Sequence, residues 1–269
     1  MRAPALAPHL VWHEARPATR AQLERVHPAT YLEGLERCAR AGGGMLDADT
    51  RMNAASWDAL CAAAGIAIDA VDQGFRSGGA FGVTRPPGHH ALAARAMGFC
   101  LINNVVVAAR HAQTLGATRV LIVDWDVHHG NGTQALVEHD ATIRYVSLHQ
   151  YPWYPGTGAA EERGVGNVFN VPRPPGLPRQ RYVHDLLTAV DLALEEWDGR
   201  PDLLLVSAGF DSLRGDPLGG FTLEPDDLAT WTRAMRDRVA PVPVVSVLEG
   251  GYDLGLLGAG VQAHVAALA

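Results

Sequence analysis

The sequence predicts an α/β fold in three layers (α/β/α), with helices on both faces of a mostly parallel central sheet. Short runs of branched apolar residues, such as 120–123 and 203–207, have the composition of strands that are buried on both faces. Longer segments with helical periodicity separate these runs, as the crossover connections of a parallel sheet require. Polar residues follow several runs directly, which is where ligands bind in open α/β sheets.

Seven helices are predicted from apolar residues on a helical period and from residues typical of helix ends. Thr19 followed by Gln22 has the pattern of a capping box, and Pro28 interrupts or restarts the helix that this box opens. Ser56 is predicted to cap the second helix, and Gly116 to end the third. The predicted helices span residues 20–40, 57–75, 103–115, 133–138, 179–197, 225–238 and 254–268.

Strands are predicted where branched apolar runs end in polar or glycine-rich segments. The predicted strands span residues 80–84, 120–123, 143–148, 203–207 and 242–248, with a further short strand at 9–12. Residues 151–178 are dense in proline and glycine and are predicted to form one long loop. A loop of this length in a compact domain is usually functional, and the alternative is a plain surface insertion.

Composition and charge argue against several classes of protein. The formal net charge of -7 does not suit a nucleic-acid-binding protein, which usually has a basic surface. Cys38, Cys61 and Cys100 form no CxxC pair, so neither a disulfide framework nor a cysteine metal site is indicated. No segment has the unbroken apolar length of a membrane span. The sequence therefore predicts a cytoplasmic protein with no nucleic-acid and no membrane partner, and it indicates no oligomeric state.

The stretch 120–132, VLIVDWDVHHGNG, is predicted to carry a metal site at the end of a buried strand. Asp126 and His128 are two residues apart, so in an extended segment they leave the same face and can bind one divalent ion. Asp211, after another strand, is the best candidate for a third ligand, since catalytic zinc keeps three protein ligands and one open position. The alternatives are a plain polar loop for the first pair and a turn cap for Asp211.

A general base is required beside such a metal, because two carboxylate ligands acidify bound water less than three neutral histidines do. The adjacent His89 and His90 can supply it, with Asp124 and Asn131 available to fix their tautomers. Tyr252 follows two glycines and can donate a hydrogen bond to an oxyanion opposite the metal. By itself, a tyrosine in this position is also typical of a core or rim residue.

Six motifs occur in a fixed order along the chain: RPPGHHA, MGFCLINN, VDWDVHHGNGTQ, SLHQ with YPGTG, SAGFDSLRGDPLGG and LEGGY. Together they resemble the zinc-dependent histone deacetylase family of the arginase/deacetylase fold, and most of all its class II and bacterial amidohydrolase branch. Asn131 in place of an aspartate and LEGGY in place of a glycine run indicate class II. The resemblance covers Arg16 to the C-terminus. It implies one deacetylase-like domain over residues 1–269 that lacks the family's first strand and rim loop.

The resemblance implies a catalytic role for each polar residue at the strand ends. Asp126, His128 and Asp211 would be the zinc ligands. His90 would be the general base and acid, and His89 its electrostatic partner. Asp124 would orient His89, and Asn131 would orient His90. Tyr252 would polarise the acyl carbonyl.

The resemblance also implies a second cation and a tunnel for the substrate. Family members hold potassium beside the zinc mostly through oxygen atoms, as a hard cation prefers. The potassium ligands would be Asp124, Asp126, His128, Ser147 and Leu148. The tunnel would have Phe99 and Tyr154 as walls and backbone contacts from Gly98 and Gly250. Tyr154 replaces the phenylalanine common in the family and adds a hydroxyl to an apolar wall.

The implied reaction is direct hydrolysis of an acylated lysine or a related acylated amine, without a covalent enzyme intermediate. Leu218 stands where polyamine-selective relatives carry a glutamate, which favours acyl-lysine over acetylpolyamine. Two alternatives remain: an acetylpolyamine or small-metabolite amidohydrolase, and a protein that binds metal and acylated amines with little turnover. An arginase-like dinuclear centre is disfavoured, because the sequence offers few spare carboxylates for a second metal ion.

Overall fold

The computed structural model describes residues 10–195, 197 and 200–269, and two sheets lie within this part of the chain. The strands are β1 (Gly43–Met45), β2 (Arg51–Asn53), β3 (Gly79–Gly82), β4 (Val120–Asp124), β5 (Ile143–Gln150), β6 (Val168–Arg173), β7 (Leu203–Ala208) and β8 (Val244–Leu248). β1 and β2 form an antiparallel hairpin. The six other strands form a parallel sheet in the order β3, β8, β7, β4, β5, β6.

The helices begin and end close to the predicted positions. They are α1 (Arg20–Leu23), α2 (Ala29–Arg40), α3 (Ser56–Ser77), α4 (Asn104–Thr114), α5 (Asn131–Val137), α6 (Arg179–Glu195), α7 (Pro225–Val239) and α8 (Leu254–Leu268). The capping box of Thr19 and Gln22 is present, and Pro28 separates α1 from α2. Ser56 is not a cap: it is the first residue of α3, and its hydroxyl accepts a hydrogen bond from the Asn53 N–H. No helix in the described ranges is long and apolar enough to cross a membrane.

The central strand β4 shows why this sequence forms a three-layer structure. All five of its residues are buried, because β5 and β7 flank it and helices cover both faces. Val120 and Ile122 pack in the cluster that contains residues of α3 and α4. Leu121 and Val123 pack in the cluster that contains residues of α6, α7 and α8. The alternation of a strand therefore serves two apolar layers at once, and the predicted fold class is confirmed.

Besides the Ser56 cap, two local predictions were wrong and one element was missed. β6 lies inside the segment predicted to be one loop, and its Pro172 and Arg173 are tolerated because β6 is the edge strand beyond β5. The hairpin of β1 and β2 was not predicted, since strands of three residues give no periodic signal. Leu10 to Trp12 form no strand, and His9 lies outside the described residues.

Candidate active site

The three predicted metal ligands meet at the carboxyl ends of β4 and β7. The Nδ1 atom of His128 lies 3.1 Å from Asp126 Oδ1 and 3.1 Å from Asp211 Oδ2. One potential ligand atom from each residue lies within 4.8 Å of the other two. All three residues are buried. A single nitrogen and two carboxylate oxygens therefore face one point, as a tetrahedral zinc site with an open position requires.

The electrostatics of these ligands favour a bound cation. Burial, with the nearby Asp126 carboxylate, raises the pKa of Asp211 to about 7. Burial would also raise the pKa of Asp126, but His89 and His128 outweigh it and hold that pKa below its ordinary value. Burial lowers the pKa of His128, and the two carboxylates more than reverse this, raising it to about 10. Two buried carboxylates around one imidazole thus fit a divalent ion, which would neutralise both.

Glycines let the backbone approach these carboxylates. A Cβ atom on Gly250 would lie 2.7 Å from Asp126 Oδ2 and closer still to Asp211 Oδ2. The Gly250 N–H donates to Asp126 Oδ2 at 2.9 Å, and its carbonyl accepts from the Phe210 N–H at 2.9 Å. Gly250 was predicted to contact the substrate. Its backbone N–H and carbonyl both make hydrogen bonds within the protein, and the N–H holds a ligand carboxylate in place. A contact of Gly250 with the substrate stays a prediction.

The histidine pair follows β3 and has the predicted partners. His89 Nδ1 donates to Asp124 Oδ2 at 3.1 Å, and His90 Nδ1 donates to Asn131 Oδ1 at 2.8 Å. The two ring centroids are 4.0 Å apart. Burial and the neighbouring His89 and His128 hold the pKa of His90 well below its ordinary value. Burial acts in the same direction on His89, but Asp126 and Asp124 outweigh it and raise the pKa of His89 well above its ordinary value.

Two buried residues that support this pair were not predicted. Tyr145, on β5, donates to Asp124 Oδ2 at 2.9 Å. Glu249 accepts the N–H groups of Gly88 and His89, at 2.7 and 3.2 Å. Burial raises the pKa of Glu249 to about 7. The signal for Glu249 was its place directly after a buried strand in LEGGY, whereas nothing in the sequence distinguishes Tyr145 from a core aromatic.

His89, Cys100 and Glu249 form a second buried group with potential ligand atoms within 4.8 Å of one another. Both carboxylate oxygens of Glu249 already accept hydrogen bonds, since Ser207 Oγ donates to Oε1 at 3.0 Å and the backbone N–H groups bind Oε2. His89 Nδ1 is bound to Asp124. This group therefore supports the histidine loop and belongs to the same site.

A cavity of about 230 Å³ opens over His90 and His128. Its lining residues are Asp49, His90, Gly98, Phe99, His128, Trp153, Tyr154, Leu218 and Tyr252. The predicted wall residues are thus in place, whereas Asp49 and Trp153 were not predicted. The Tyr154 ring stands edge-on to His90 with centroids 5.2 Å apart. Burial, with the carboxylates of Asp126 and Asp211, raises the pKa of Tyr252 above its usual range, so its hydroxyl keeps the proton it would donate.

The predicted potassium ligands come together where β4 and β5 run side by side. Asp124 pairs with Ser147 in register, and both are buried together with Leu148. His149 Nε2 donates to the Gly158 carbonyl at 2.9 Å, so its Nδ1 accepts the Ser147 hydroxyl proton at 2.9 Å. The Ser147 hydroxyl therefore uses its proton, and not the lone pairs of Oγ, in the hydrogen bond to His149. Oxygen atoms in such a buried group suit a hard monovalent cation.

Comparisons with known proteins agree with this geometry. The "Histone deacetylase domain" family profile matches residues 1–268. A histone deacetylase-like amidohydrolase of Pseudomonas aeruginosa is 40% identical over 259 residues, covering 92% of this chain and 68% of that protein. The crystal structure of the HDA15 HD domain has a TM-score of 0.92 and 38% identity, covering 98% of this chain and 80% of that chain. An acetylpolyamine aminohydrolase from Burkholderia pseudomallei has a TM-score of 0.90 and 27% identity, covering 98% of this chain and 87% of that chain.

Proposed function

Because the chain belongs to the histone deacetylase family and is a hydrolytic deacetylase, we propose that it uses zinc to remove acetyl or other short acyl groups from lysine side chains. The observation that carries this proposal is the convergence of His90, His128 and Tyr252 on one cavity. A nitrogen base, a metal ligand and a phenolic donor then face the same acyl group. These are the parts that hydrolysis of an unactivated amide needs.

In the proposed mechanism, each protein group acts at a stated atom. The zinc ion would be held by Asp126, His128 and Asp211. When bound, it would act as a Lewis acid and lower the pKa of a water molecule. His90 takes a proton from the attacking water at Nε2, because its Nδ1 is committed to Asn131. His89, oriented by Asp124, provides positive charge beside the reacting centre.

Proton movement completes the reaction. As water adds to the acyl carbonyl, the Tyr252 hydroxyl donates a hydrogen bond to the oxygen on which negative charge develops. The C–N bond then breaks, and His90 returns the proton to the leaving amine. The second proton of the water leaves the new carboxylic acid for the amine, so the products are a carboxylate and a protonated amine, and no covalent bond to the protein forms.

The lining of the cavity supports acyl-lysine as the substrate class. Phe99 and Tyr154 can enclose a neutral, unbranched stem, and Leu218 adds apolar surface at the mouth. An acetylpolyamine is the second candidate, because Asp49 also lines the cavity and could pair with a cationic amine. Turnover of an acetyl-lysine peptide compared with that of an acetylated polyamine distinguishes the two.

We further propose that potassium binds between Asp124 and Ser147, supported by the register of β4 with β5. The proposed location is the cytoplasm, since Cys38, Cys61 and Cys100 are all unpaired, as a reducing compartment favours. Fractionation of host cells with an antibody against the protein tests the location. Potassium-dependent activity at constant ionic strength tests the cation.

The main experiment measures hydrolysis of a fluorogenic acetyl-lysine amide and its trifluoroacetyl version, with zinc content determined on the same sample. Tyr252→Phe should lower kcat by about 10²- to 10³-fold, since it removes one donor to the oxyanion, and should leave the zinc content unchanged. Tyr182→Phe is the matched control: its hydroxyl bonds Pro174 and Leu177 on the α6 side and should not affect kcat.

Zinc bound at full stoichiometry without hydrolysis of either substrate would overturn the proposal. That outcome would instead support a protein that binds metal and acylated amines with little turnover. Hydrolysis that is insensitive to Tyr252→Phe would keep the activity but remove the proposed role of the phenol.

A further inference from the structure

A single buried carboxylate, Asp216, connects two separate parts of the cavity lining. Asp216 lies in the turn after β7 and is 4% exposed. Its Oδ1 accepts the Leu218 N–H at 2.9 Å. Its Oδ2 accepts the N–H groups of Tyr252 and Asp253 at 2.7 and 3.3 Å. Leu218 and Tyr252 both line the cavity, so one side chain holds the backbone of a mouth residue and of the proposed oxyanion donor.

The segment that carries Tyr252 needs such an anchor. Two glycines precede Tyr252, and Gly251 has a φ of +136°, a conformation that side-chain-bearing residues rarely adopt. Glycine backbones have many accessible conformations, so the preceding chain does not by itself fix the direction of the phenol. The backbone hydrogen bonds to Asp216 restrict the segment on its other side.

The contacts of Asp216 are made with backbone N–H donors. No cation pairs with Asp216 in the ion pairs of the described residues. Its carboxylate is therefore stabilised chiefly by three N–H groups, which are charge-assisted hydrogen bonds and stronger than neutral ones. A buried carboxylate in this arrangement holds a backbone segment rigidly, because losing any contact leaves a polar group unpaired.

We propose that Asp216 is a positioning residue for the deacylation reaction, which fixes the Tyr252 hydroxyl against the substrate carbonyl and couples it to Leu218 at the cavity mouth. This inference rests on the proposed function. Asp216 does not line the cavity and acts only through the backbone of the residues it holds. The Asp216 carboxylate thereby affects two things at once: how the substrate stem contacts Leu218, and how the Tyr252 phenol is aligned.

Asp216→Asn tests this role with almost no change in size. An amide has one accepting oxygen, so its NH₂ group would face either the Leu218 N–H or the N–H groups of Tyr252 and Asp253. One side of the anchor is lost in either orientation. We expect kcat to fall on the order of tenfold, less than the full loss of an oxyanion donor, with a smaller change in KM.

A double-mutant cycle distinguishes positioning from a general structural effect. Wild type, Asp216→Asn, Tyr252→Phe and the double variant are compared as zinc-loaded enzymes on the trifluoroacetyl-lysine substrate. If Asp216 acts through the phenol, Asp216→Asn should cost about tenfold in the wild type and less than about twofold beside Tyr252→Phe. Equal factors in both backgrounds would overturn the inference.

Asp202→Asn provides the matched control at the opposite end of the sheet. Asp202 Oδ2 accepts the Thr118 N–H, the Thr118 hydroxyl and the Arg119 N–H, at 2.7, 2.9 and 2.9 Å. It is therefore also a carboxylate that organises a turn, but far from the cavity lining. We expect Asp202→Asn to lower stability and to leave kcat unchanged.

Asp216→Glu keeps the charge and both accepting oxygens, so it should retain more kcat than Asp216→Asn. If the asparagine form does not fold, Asp216→Glu replaces it in the cycle, and its smaller cost should likewise disappear beside Tyr252→Phe; an equal cost in both backgrounds would overturn the inference. Amide hydrogen exchange gives a readout that does not depend on turnover. In Asp216→Asn, exchange should accelerate either at Leu218 or at Tyr252 and Asp253, according to the side of the anchor that is lost, and it should stay unchanged in Asp202→Asn. An inactive wild type would overturn the proposed function together with this inference. An active wild type with unchanged exchange and unchanged kcat in Asp216→Asn would overturn the inference alone.

Discussion

At the scale of single residues, the site depends on how closely the backbone can approach two carboxylates. Gly209 and Gly250 both lie where a Cβ atom would collide with Asp126, and Gly250 would also collide with Asp211. A side chain at either position would push the carboxylate away from the point that His128 Nδ1 faces. These glycines therefore leave the room in which the ligand carboxylates lie, although neither offers a ligand atom.

Gly250→Ala should weaken zinc binding by at least about tenfold, the usual scale for residues that orient metal ligands. The added methyl group displaces the Asp126 and Asp211 carboxylates, so two of three ligands move. Competition with a chromogenic zinc chelator measures the change directly. Gly258→Ala is the control: it lies within α8 with open space around it, and it should leave zinc affinity unchanged. Equal zinc affinity in both variants would contradict the prediction.

At the scale of elements, the small hairpin of β1 and β2 holds one wall of the cavity. Thr50, just before β2, accepts the Phe99 N–H at 3.0 Å while its hydroxyl donates to Asp49 Oδ1 at 2.8 Å. Phe99 has a φ of +66°, which is uncommon for a residue with a side chain. Asp47 on the same hairpin pairs with Arg95 at 3.0 Å. The hairpin therefore maintains a strained backbone at the cavity wall.

Thr50→Val should destabilise the protein by about 1 kcal/mol or more, because the Phe99 N–H loses its acceptor. The Phe99 ring should then be less well placed, and kcat/KM on acetyl-lysine should fall severalfold. Thr50→Ser keeps the hydroxyl and should retain most of kcat/KM. Urea unfolding and steady-state kinetics on the three proteins measure both effects. A serine variant as impaired as the valine variant would indicate that packing of the threonine methyl group, and not the hydrogen bond, holds the wall.

At the scale of the whole molecule, the order of strands assembles the site. Residues after β3, β8, β7, β4 and β5 meet because these strands are neighbours in one parallel sheet. The layer of α7 and α8 packs against the same sheet through a buried histidine, His264. Thr232 Oγ1 donates its only proton to the Leu228 carbonyl, so it must accept a hydrogen bond from His264 Nδ1. His264 Nε2 then carries no proton and accepts from Ser246 Oγ at 2.9 Å.

This histidine should make stability depend on pH. Burial lowers the pKa of His264 from 6.5 to about 3 in the folded state. The unfolded chain therefore binds a proton first as pH falls below 6.5, and the free energy of unfolding decreases between these two values. Relative to His264→Asn, wild type should lose about 1.4 kcal/mol for each pH unit in this range. Urea unfolding of both proteins at a series of pH values measures this difference, and parallel profiles would contradict it.

The sequence by itself determined the elements and the chemistry of the site. The apolar run of β4 and the capping box of α1 could be recognised because each is formed by residues close together in the sequence. Asp126 and His128 were expected to converge by strand alternation, but they lie in the bend after β4, where the Asp126 carboxylate accepts the His128 N–H at 2.9 Å; their closeness in sequence, and not strand geometry, brings them together. The pairing of each active-site histidine with its partner was expected from the family resemblance and agrees with the hydrogen bonds of His89 and His90.

Only the tertiary structure decided which distant residues support that chemistry. Asp216, Glu249 and Thr50 act through backbone N–H groups on other segments, and a backbone donor has no signature in the sequence. β6 is a strand because it pairs with β5, and β1 and β2 pair with each other over only three residues each. Local propensity is too weak a signal to predict strands of either kind. The close approach of Gly250 to two carboxylates likewise exists only once β8 lies beside β7. Contacts across the sheet, not local pattern, therefore determine how rigidly the predicted catalytic residues are held.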